Sequence, residues 1–174
     1  MIVKNLSNFL TWWRGLSFIK FTGIFLLLSF AAKVATAGLV FIPFFTIEDE
    51  PIVGLEDMEK GLPYGIAVLV ALMPIVETFL YQYLPIIIVN KFSKNKYLQV
   101  FISAILFGLG HITHSISYAI FAIFTGVVLA TGFILYKENH STQKAFWVTA
   151  LVHGLFNLVS VLLMLVFPEE ILFS

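Results

Sequence analysis

The sequence predicts an all-α membrane protein, a polytopic transmembrane helix bundle of about five spans with its N-terminus inside and its C-terminus outside. Three observations predict this fold. The chain has 174 residues, of which 60% are hydrophobic and only 11% are charged, and its mean hydropathy is +0.99. The apolar residues fall into five long stretches, and the charges between these stretches alternate in sign. A water-soluble domain of this size could not bury so much apolar surface.

The five apolar stretches have lengths that suit membrane crossing. A transmembrane helix needs about 20 mostly apolar residues at about 1.5 Å each. The stretches that approach this length are residues 18–47, 62–90, 97–113, 115–136 and 145–167. The first two are longer than necessary, which predicts tilt, or a helix break near Gly38, Pro43, Pro74 or Pro85.

The charged loops predict the orientation, because cytoplasmic loops are rich in Lys and Arg. Basic residues occur in the N-terminal segment, in the 91–96 loop with three lysines and in the 137–144 loop with two. The 48–60 segment instead holds six acidic residues, and Glu169 and Glu170 lie near the C-terminus. Basic and acidic ends therefore alternate through five crossings.

We expect one membrane domain over residues 1–174. Residues 1–17 could form an interfacial helix with Trp12 and Trp13 at the headgroup level, or simply begin the first span. The expected partner is the lipid bilayer. The chain has no cysteine, which excludes cysteine proteases, and no basic block or phosphate-binding loop, which argues against nucleic acid as a partner.

Glu77 is the clearest candidate for a functional residue. It lies roughly 20 Å from the inner end of the second span. An ionised side chain at this depth costs at least about 2.5 to 3.5 kcal/mol, so such residues usually face the bundle interior and serve a function. A neutral, hydrogen-bonded glutamic acid or an ion-pathway carboxylate are the alternatives. Pro74, three residues earlier, cannot donate to the Val70 carbonyl and could kink the helix beside Glu77.

Two histidines and an asparagine lie at similar depth. His111 shares a helix face with Phe107, and His153 shares one with Asn157, because each pair is four residues apart. His111 lies at roughly 20 Å from the inner end of its span, like Glu77. Asn157 and His153 lie at roughly 18 Å and 12 Å. One interior cavity could therefore hold all four side chains.

A carboxylate with two imidazoles suits the activation of water. Glu77 could take the proton from a water molecule that His111 orients, while His153 and Asn157 donate to the developing oxyanion. Alternatively, Glu77, His111 and His153 could be the ligands of a catalytic zinc ion with an open position. The spacing does not choose between these mechanisms.

A lysine, a histidine and several serines are further polar residues outside this set of four. Lys33 is too deep to reach the interface easily and falls near the depth of Glu77, which suggests a Lys33–Glu77 ion pair. His114 lies near the outer boundary and is expected to be interfacial rather than a ligand. Lone serines such as Ser103 and Ser160 lack the Gly-x-Ser-Gly setting of a rhomboid-like nucleophile.

The ordered residues resemble the CPBP family of intramembrane proteases, also called Abi or CAAX-protease-like proteins. The pattern of that family is E-E-x-x-x-R, then F-x-x-x-H, then H-x-x-x-N or D. This chain has E-T-F-L-Y-Q at residues 77–82, F-G-L-G-H at 107–111 and H-G-L-F-N at 153–157. The resemblance covers residues 73–159. Thr78 and Gln82 stand where the family has Glu and Arg.

The resemblance implies an intramembrane endopeptidase with Glu77, His111, His153 and Asn157 as its catalytic residues. Its substrate would be a membrane-associated, prenylated or unprenylated, protein or peptide. The compactness of the chain suggests a bacterial plasma membrane as its location. Family members have been described both as zinc enzymes and as metal-free proteases. The alternatives are a non-catalytic membrane protein, such as a bacteriocin-immunity protein or a scaffold, and a small ion-coupled transporter that uses Glu77.

Overall fold

The computed structural model describes residues 12–13, 15–40 and 61–166, and these residues form helices and short turns without a strand. Helix α1 is Phe18–Val40. A composite helix over residues 62–92 contains α2 (Leu62–Ile66), α3 (Met73–Glu77) and α4 (Leu84–Phe92), with π-helical segments at Ala67–Leu72 and Thr78–Tyr83 between them. The remaining helices are α5 (Lys96–Gly110), α6 (Ile116–Asn139) and α7 (Thr142–Val166).

The predicted bundle of about five spans is confirmed. Four helical stretches are long and apolar enough to cross a membrane, namely Phe18–Thr36, Pro63–Phe92, Ile116–Asn139 and Thr142–Leu163. Helix α5 is apolar but shorter, and its 15 residues span about 22 Å at 1.5 Å each. Residues 41–60, with Pro43 and the acidic segment, lie outside the described residues, and the orientation stays a prediction.

Polar residues begin three of these helices. The Asn95 side chain accepts hydrogen bonds from the backbone N–H groups at the start of α5, at 3.0 and 3.3 Å. Ser115 does the same for α6 at 2.9 Å, and Ser141 for α7 at 3.2 Å. Side-chain oxygens at these positions satisfy N–H groups that have no partner within the helix. They therefore keep the turns between the spans short.

The predicted breaks near Gly38, Pro74 and Pro85 do not occur. Helix α1 continues through Gly38, and the composite helix continues through both prolines. A π-helical segment lies just before each proline, and there Met73 N–H donates to Val68 O and Leu84 N–H to Phe79 O, five residues back. A proline ring clashes with the carbonyl four residues earlier, and a wider turn relieves that clash without ending the helix.

Helix α6 lies at the centre of the bundle and packs closely on α5. Its small residues Ala119, Ala122, Gly126 and Ala130 are buried. A Cβ atom added to Gly126 would lie 3.0 Å from the Cα atom of Ala104 on α5. The predicted packing role of this stripe is confirmed, because only small side chains permit such a short distance between helices.

Aromatic rings join α1 to this centre. Trp13 is buried, and its ring centroid lies 5.9 Å from that of Phe21 and 5.4 Å from that of Phe25. Phe21 in turn contacts Tyr136 of α6 at 4.8 Å. Trp12 is exposed. Most of the predicted interfacial helix 1–17 lies outside the described residues, so its position at the headgroups stays a prediction.

We expect Gly154→Ala to destabilise the bundle and Gly23→Ala to leave it unchanged or slightly more stable. A Cβ atom at Gly154 would clash with the Val70 carbonyl oxygen of the composite helix, whereas one at Gly23 has no neighbour within 4 Å. Overpacking of this kind costs about 1–3 kcal/mol, whereas Ala in a helix interior gains about 0.5–1 kcal/mol over Gly. Thermal unfolding in detergent, followed by helical circular dichroism, measures both; equal stabilities would contradict the close approach.

Candidate active site

Glu77 lies in the middle of the composite helix, as the last residue of α3 and directly before the second π-helical segment. Its side chain is 16% exposed. Pro74, less than one turn earlier, is buried. The carboxylate therefore lies midway along an apolar span and keeps a small accessible surface.

His111 comes to Glu77 from the C-terminal end of α5. Its Nδ1 atom lies 2.7 Å from the Phe107 carbonyl oxygen. Because a carbonyl oxygen can only accept, Nδ1 carries the proton and donates this hydrogen bond. In the neutral imidazole Nε2 is then an acceptor, and it lies 3.8 Å from Glu77 Oε1.

His153 comes to Glu77 from α7, on the other side. Its Nε2 atom lies 3.4 Å from Glu77 Oε2, and its side chain is 4% exposed. The His153 ring packs edge-on against Phe107, with 5.5 Å between centroids. Nδ1 of His153 has no hydrogen-bond partner among the described residues. Phe107 therefore helps to orient both histidines, one through its carbonyl and one through its ring.

The structure thus brings together three of the four predicted site residues, each from a different helix. The two carboxylate oxygens of Glu77 face different imidazoles. Both N–O separations are longer than an ordinary hydrogen bond. The carboxylate is consequently approached by both rings without being tied to either, which leaves its oxygens available to a reacting molecule.

Asn157, the fourth predicted residue, is engaged elsewhere. It lies one turn after His153 on α7, and its Nδ2 atom donates to the Leu69 carbonyl oxygen of the composite helix at 2.9 Å. This partner is a backbone atom, which the pattern of side chains could not indicate. The predicted oxyanion role of Asn157 stays a prediction.

The side chains do not fit a metal centre in this arrangement. Within 12–13, 15–40 and 61–166, no three His, Asp or Glu side chains form a group that could hold a metal ion. The zinc alternative therefore gains no support from the geometry of Glu77, His111 and His153.

Sequence reasoning missed one neighbour of the site, Tyr118. Its ring centroid lies 5.4 Å from that of His111 and 5.6 Å from that of His114. Tyr118 lies in the first turn of α6, where Ser115 accepts from its backbone N–H. A polar aromatic residue seven positions after His111, across a short turn, is the signal that could have found it. His114 itself is exposed, and its interfacial position stays a prediction.

Thr78 and Gln82, which depart from the family pattern, are both fully buried. Thr78 Oγ1 and both amide atoms of Gln82 have no hydrogen-bond partner in the part of the chain that the structure describes. They lie four residues apart in the second π-helical segment, directly after Glu77. Two neutral polar side chains therefore occupy the two buried positions at which the family pattern has an acidic and a basic residue. At such positions the two charges would have to neutralise each other.

The predicted ion pair between Lys33 and Glu77 is wrong. Lys33 Nζ donates to Ser160 Oγ at 3.2 Å and lies over the rings of Phe121 and Phe156, at 5.9 and 5.5 Å from their centroids. Counting residues gives the depth of a side chain but not the direction in which it points. Helix α1 packs on α6 and α7, and Lys33 finds its partners there.

We expect Thr78→Glu to destabilise the protein strongly and the added change Gln82→Arg to recover part of the loss. A buried charge without its partner costs about 3–5 kcal/mol, whereas a buried pair can be close to neutral. Thermal unfolding of Thr78→Glu, Gln82→Arg and the double variant in detergent tests this expectation. If the double variant is no more stable than the less stable of the two single variants, the side chains at positions 78 and 82 do not face each other.

We expect Lys33→Met to leave the function of the site unchanged. Lys33 contacts Ser160 and two phenylalanine rings, and methionine keeps most of the apolar contact. The loss of the cation–π contacts should cost about 0.5–1 kcal/mol. A turnover within about twofold of wild type is the expected result, and a loss comparable to that of a Glu77 variant would restore the case for a catalytic role.

Comparison with known proteins shows the family of the chain. A family model described as type II CAAX prenyl endopeptidase Rce1-like matches residues 60–159. No curated protein and no solved structure matches the chain significantly. The matched residues are more than half of the chain and include the composite helix, α5, α6 and the part of α7 that carries His153. The chain therefore belongs to the Rce1-like family of type II CAAX prenyl endopeptidases, a family of intramembrane proteases.

Proposed function

We propose that this chain is an intramembrane endopeptidase in which Glu77 activates the water that hydrolyses a peptide bond. The observation that carries the proposal is the position of Glu77 between His111 and His153, with each carboxylate oxygen 3.8 or 3.4 Å from an imidazole Nε2. A buried carboxylate beside two imidazoles is a suitable general base. The catalytic core lies within residues 73–159, which contain all three side chains.

The tautomer of His111 supports a specific place for the water. Nε2 of His111 and Oε1 of Glu77 are both acceptors, and at 3.8 Å they are too far apart to bond to each other. A single water can donate one hydrogen bond to each of them. Its lone pair is then free to attack a carbonyl carbon. The hydrogen bond from His111 Nδ1 to Phe107 O thus determines how the water is oriented.

The remaining steps use the same residues. As the water oxygen bonds to the carbonyl carbon, one proton passes to Glu77 and negative charge develops on the substrate oxygen. His153 in its Nε2–H tautomer donates to that oxygen, since its Nε2 atom lies beside the carboxylate, 3.4 Å from Glu77 Oε2. Glu77 then gives the proton to the leaving nitrogen as the C–N bond breaks. The products are a carboxylic acid, which keeps the second proton of the water, and an amine.

The substrate that fits this site is a membrane-associated protein or peptide, with prenylated chains included. The reacting groups lie in a helix bundle whose outer surface is apolar, since many large hydrophobic side chains of the composite helix and α5 are exposed. A substrate held in the bilayer by a lipid or an apolar segment is already concentrated at this depth. We place the protein in a bacterial plasma membrane.

We expect Glu77→Gln to reduce peptide cleavage by about 10² to 10⁴-fold, since glutamine has nearly the same shape but cannot take a proton. His111→Ala and His153→Ala should also reduce cleavage. His140→Ala is the matched control, because its ring stacks on Tyr136 at the other end of α6. The measurement is cleavage of prenylated and unprenylated peptides by the purified protein in liposomes.

Three outcomes would contradict the proposal in different ways. If wild type and Glu77→Gln both show only background cleavage, a non-catalytic role as an immunity or scaffold protein is favoured. Proton-coupled flux that disappears with Glu77→Gln, without cleavage, would favour a transporter. Cleavage that requires one bound metal ion per chain, measured by elemental analysis, would overturn the metal-free mechanism for Glu77.

A further inference from the structure

The two prolines of the composite helix each leave a backbone carbonyl without a donor. Pro74 and Pro85 have no N–H group, so each removes one donor, for the carbonyl four residues earlier in an α-helical register or five residues earlier in a π-helical register. In a membrane this loss is costly, because no water replaces the missing donor. Both prolines lie in a span of the bundle, on either side of Glu77.

Asn157 supplies the missing donor before Pro74. Met73 N–H bonds to Val68 O in the π-helical register, so it is not available to Leu69. The next N–H in that register would belong to Pro74. The Leu69 carbonyl accepts from Asn157 Nδ2 instead, at 2.9 Å. The contact is made from α7, one turn from His153.

Ser103 does the same before Pro85. Its hydroxyl donates to the Tyr81 carbonyl oxygen at 2.5 Å, and Tyr81 lies four residues before this proline. Ser103 is fully buried on α5. It lies two turns before His111 and on the same helix face, because 103, 107 and 111 are spaced by four residues.

We infer that Asn157 and Ser103 are positioning residues, which hold the composite helix so that Glu77 meets both histidines. We call their hydrogen bonds to Leu69 O and Tyr81 O the anchor contacts. Each anchor contact comes from a helix that carries one of the histidines. One lies eight residues before Glu77 and the other four residues after it. Together they fix the rotation and height of Glu77 relative to α5 and α7.

The π-helical segments make such fixing necessary. An α-helix turns by about 100° per residue. The extra residue in a wide turn therefore rotates the side chains that follow it by a comparable angle about the helix axis. If either wide turn returned to an α-helical register, Glu77 would rotate away from one of the two imidazoles. A hydrogen bond from a neighbouring helix to a carbonyl freed by the wide turn stabilises that turn specifically.

This inference gives Asn157 a positioning role beside the predicted oxyanion role. One N–H of its Nδ2 atom serves a carbonyl of the composite helix, and the effect of this contact on the reaction passes through Glu77. The effect on turnover rests on the proposed function. The effect on the helix does not, and it can be measured without any substrate.

The test is a pair of double-mutant cycles. Asn157→Ala is combined with Pro74→Ala, and Ser103→Ala with Pro85→Ala. Alanine permits an α-helical register, in which the Leu69 carbonyl accepts from the Met73 N–H and the Tyr81 carbonyl accepts from the N–H of residue 85. The crossed pairs, Asn157→Ala with Pro85→Ala and Ser103→Ala with Pro74→Ala, are the matched controls. Thermal unfolding in detergent is measured for every variant, and kcat and KM for prenylated peptide are measured in liposomes.

We expect each anchor variant to lower the unfolding temperature, and to lower kcat by roughly 10²-fold with KM near that of wild type. The decrease in unfolding temperature caused by Asn157→Ala should be several-fold smaller in the Pro74→Ala background and unchanged in the Pro85→Ala background. The Ser103 variant should show the opposite dependence. Ser103→Thr, which keeps the hydroxyl, should retain most of the stability and turnover.

Stability losses that do not depend on the matching proline would overturn the inference. For Asn157, an unchanged unfolding temperature together with a lost kcat would restore the oxyanion role. If no peptide is cleaved by any variant, the proposed function fails, but the coupling between unfolding temperatures still decides whether the anchor contacts exist. Ser29→Ala controls for the removal of a buried serine, since its hydroxyl donates to Phe25 O of its own helix.

Discussion

The absence of water inside a membrane is the constraint on which this structure depends. Every backbone polar group in a span must find a partner within the protein. The composite helix contains Pro74 and Pro85, which remove two donors, and it stays continuous because wide turns and side chains of α5 and α7 compensate. The same compensation brings these two helices against the segment that carries Glu77. The site is therefore a product of how the bundle satisfies its own backbone.

Hydropathy and charge were sufficient to predict the fold class and the approximate spans, since both follow directly from the cost of polar groups in a bilayer. Counting residues from the inner ends also placed Glu77, His111 and His153 at compatible depths, and the structure brings their side chains within 4 Å of one another in two pairs. Depth was a useful predictor here because each helix crosses the same slab of lipid.

What sequence reasoning could not provide was rotation about the helix axes. Lys33 has the right depth for Glu77 but points to Ser160 and two aromatic rings. The prolines were expected to tilt or break the second span, whereas the partners that keep it continuous are a hydroxyl and an amide far away in the sequence. Tyr118 was missed for the same reason, because its approach to His111 depends on the turn between α5 and α6.

The distribution of the site over three helices has a consequence for biosynthesis. His153 follows Glu77 by 76 residues, so Glu77 enters the membrane before the ribosome has made the helix that carries His153. During this interval the composite helix holds a carboxyl group and carbonyls that only later helices satisfy. The side chains of Glu77, His111 and His153 can therefore meet only when α7 has been inserted and packed against the composite helix.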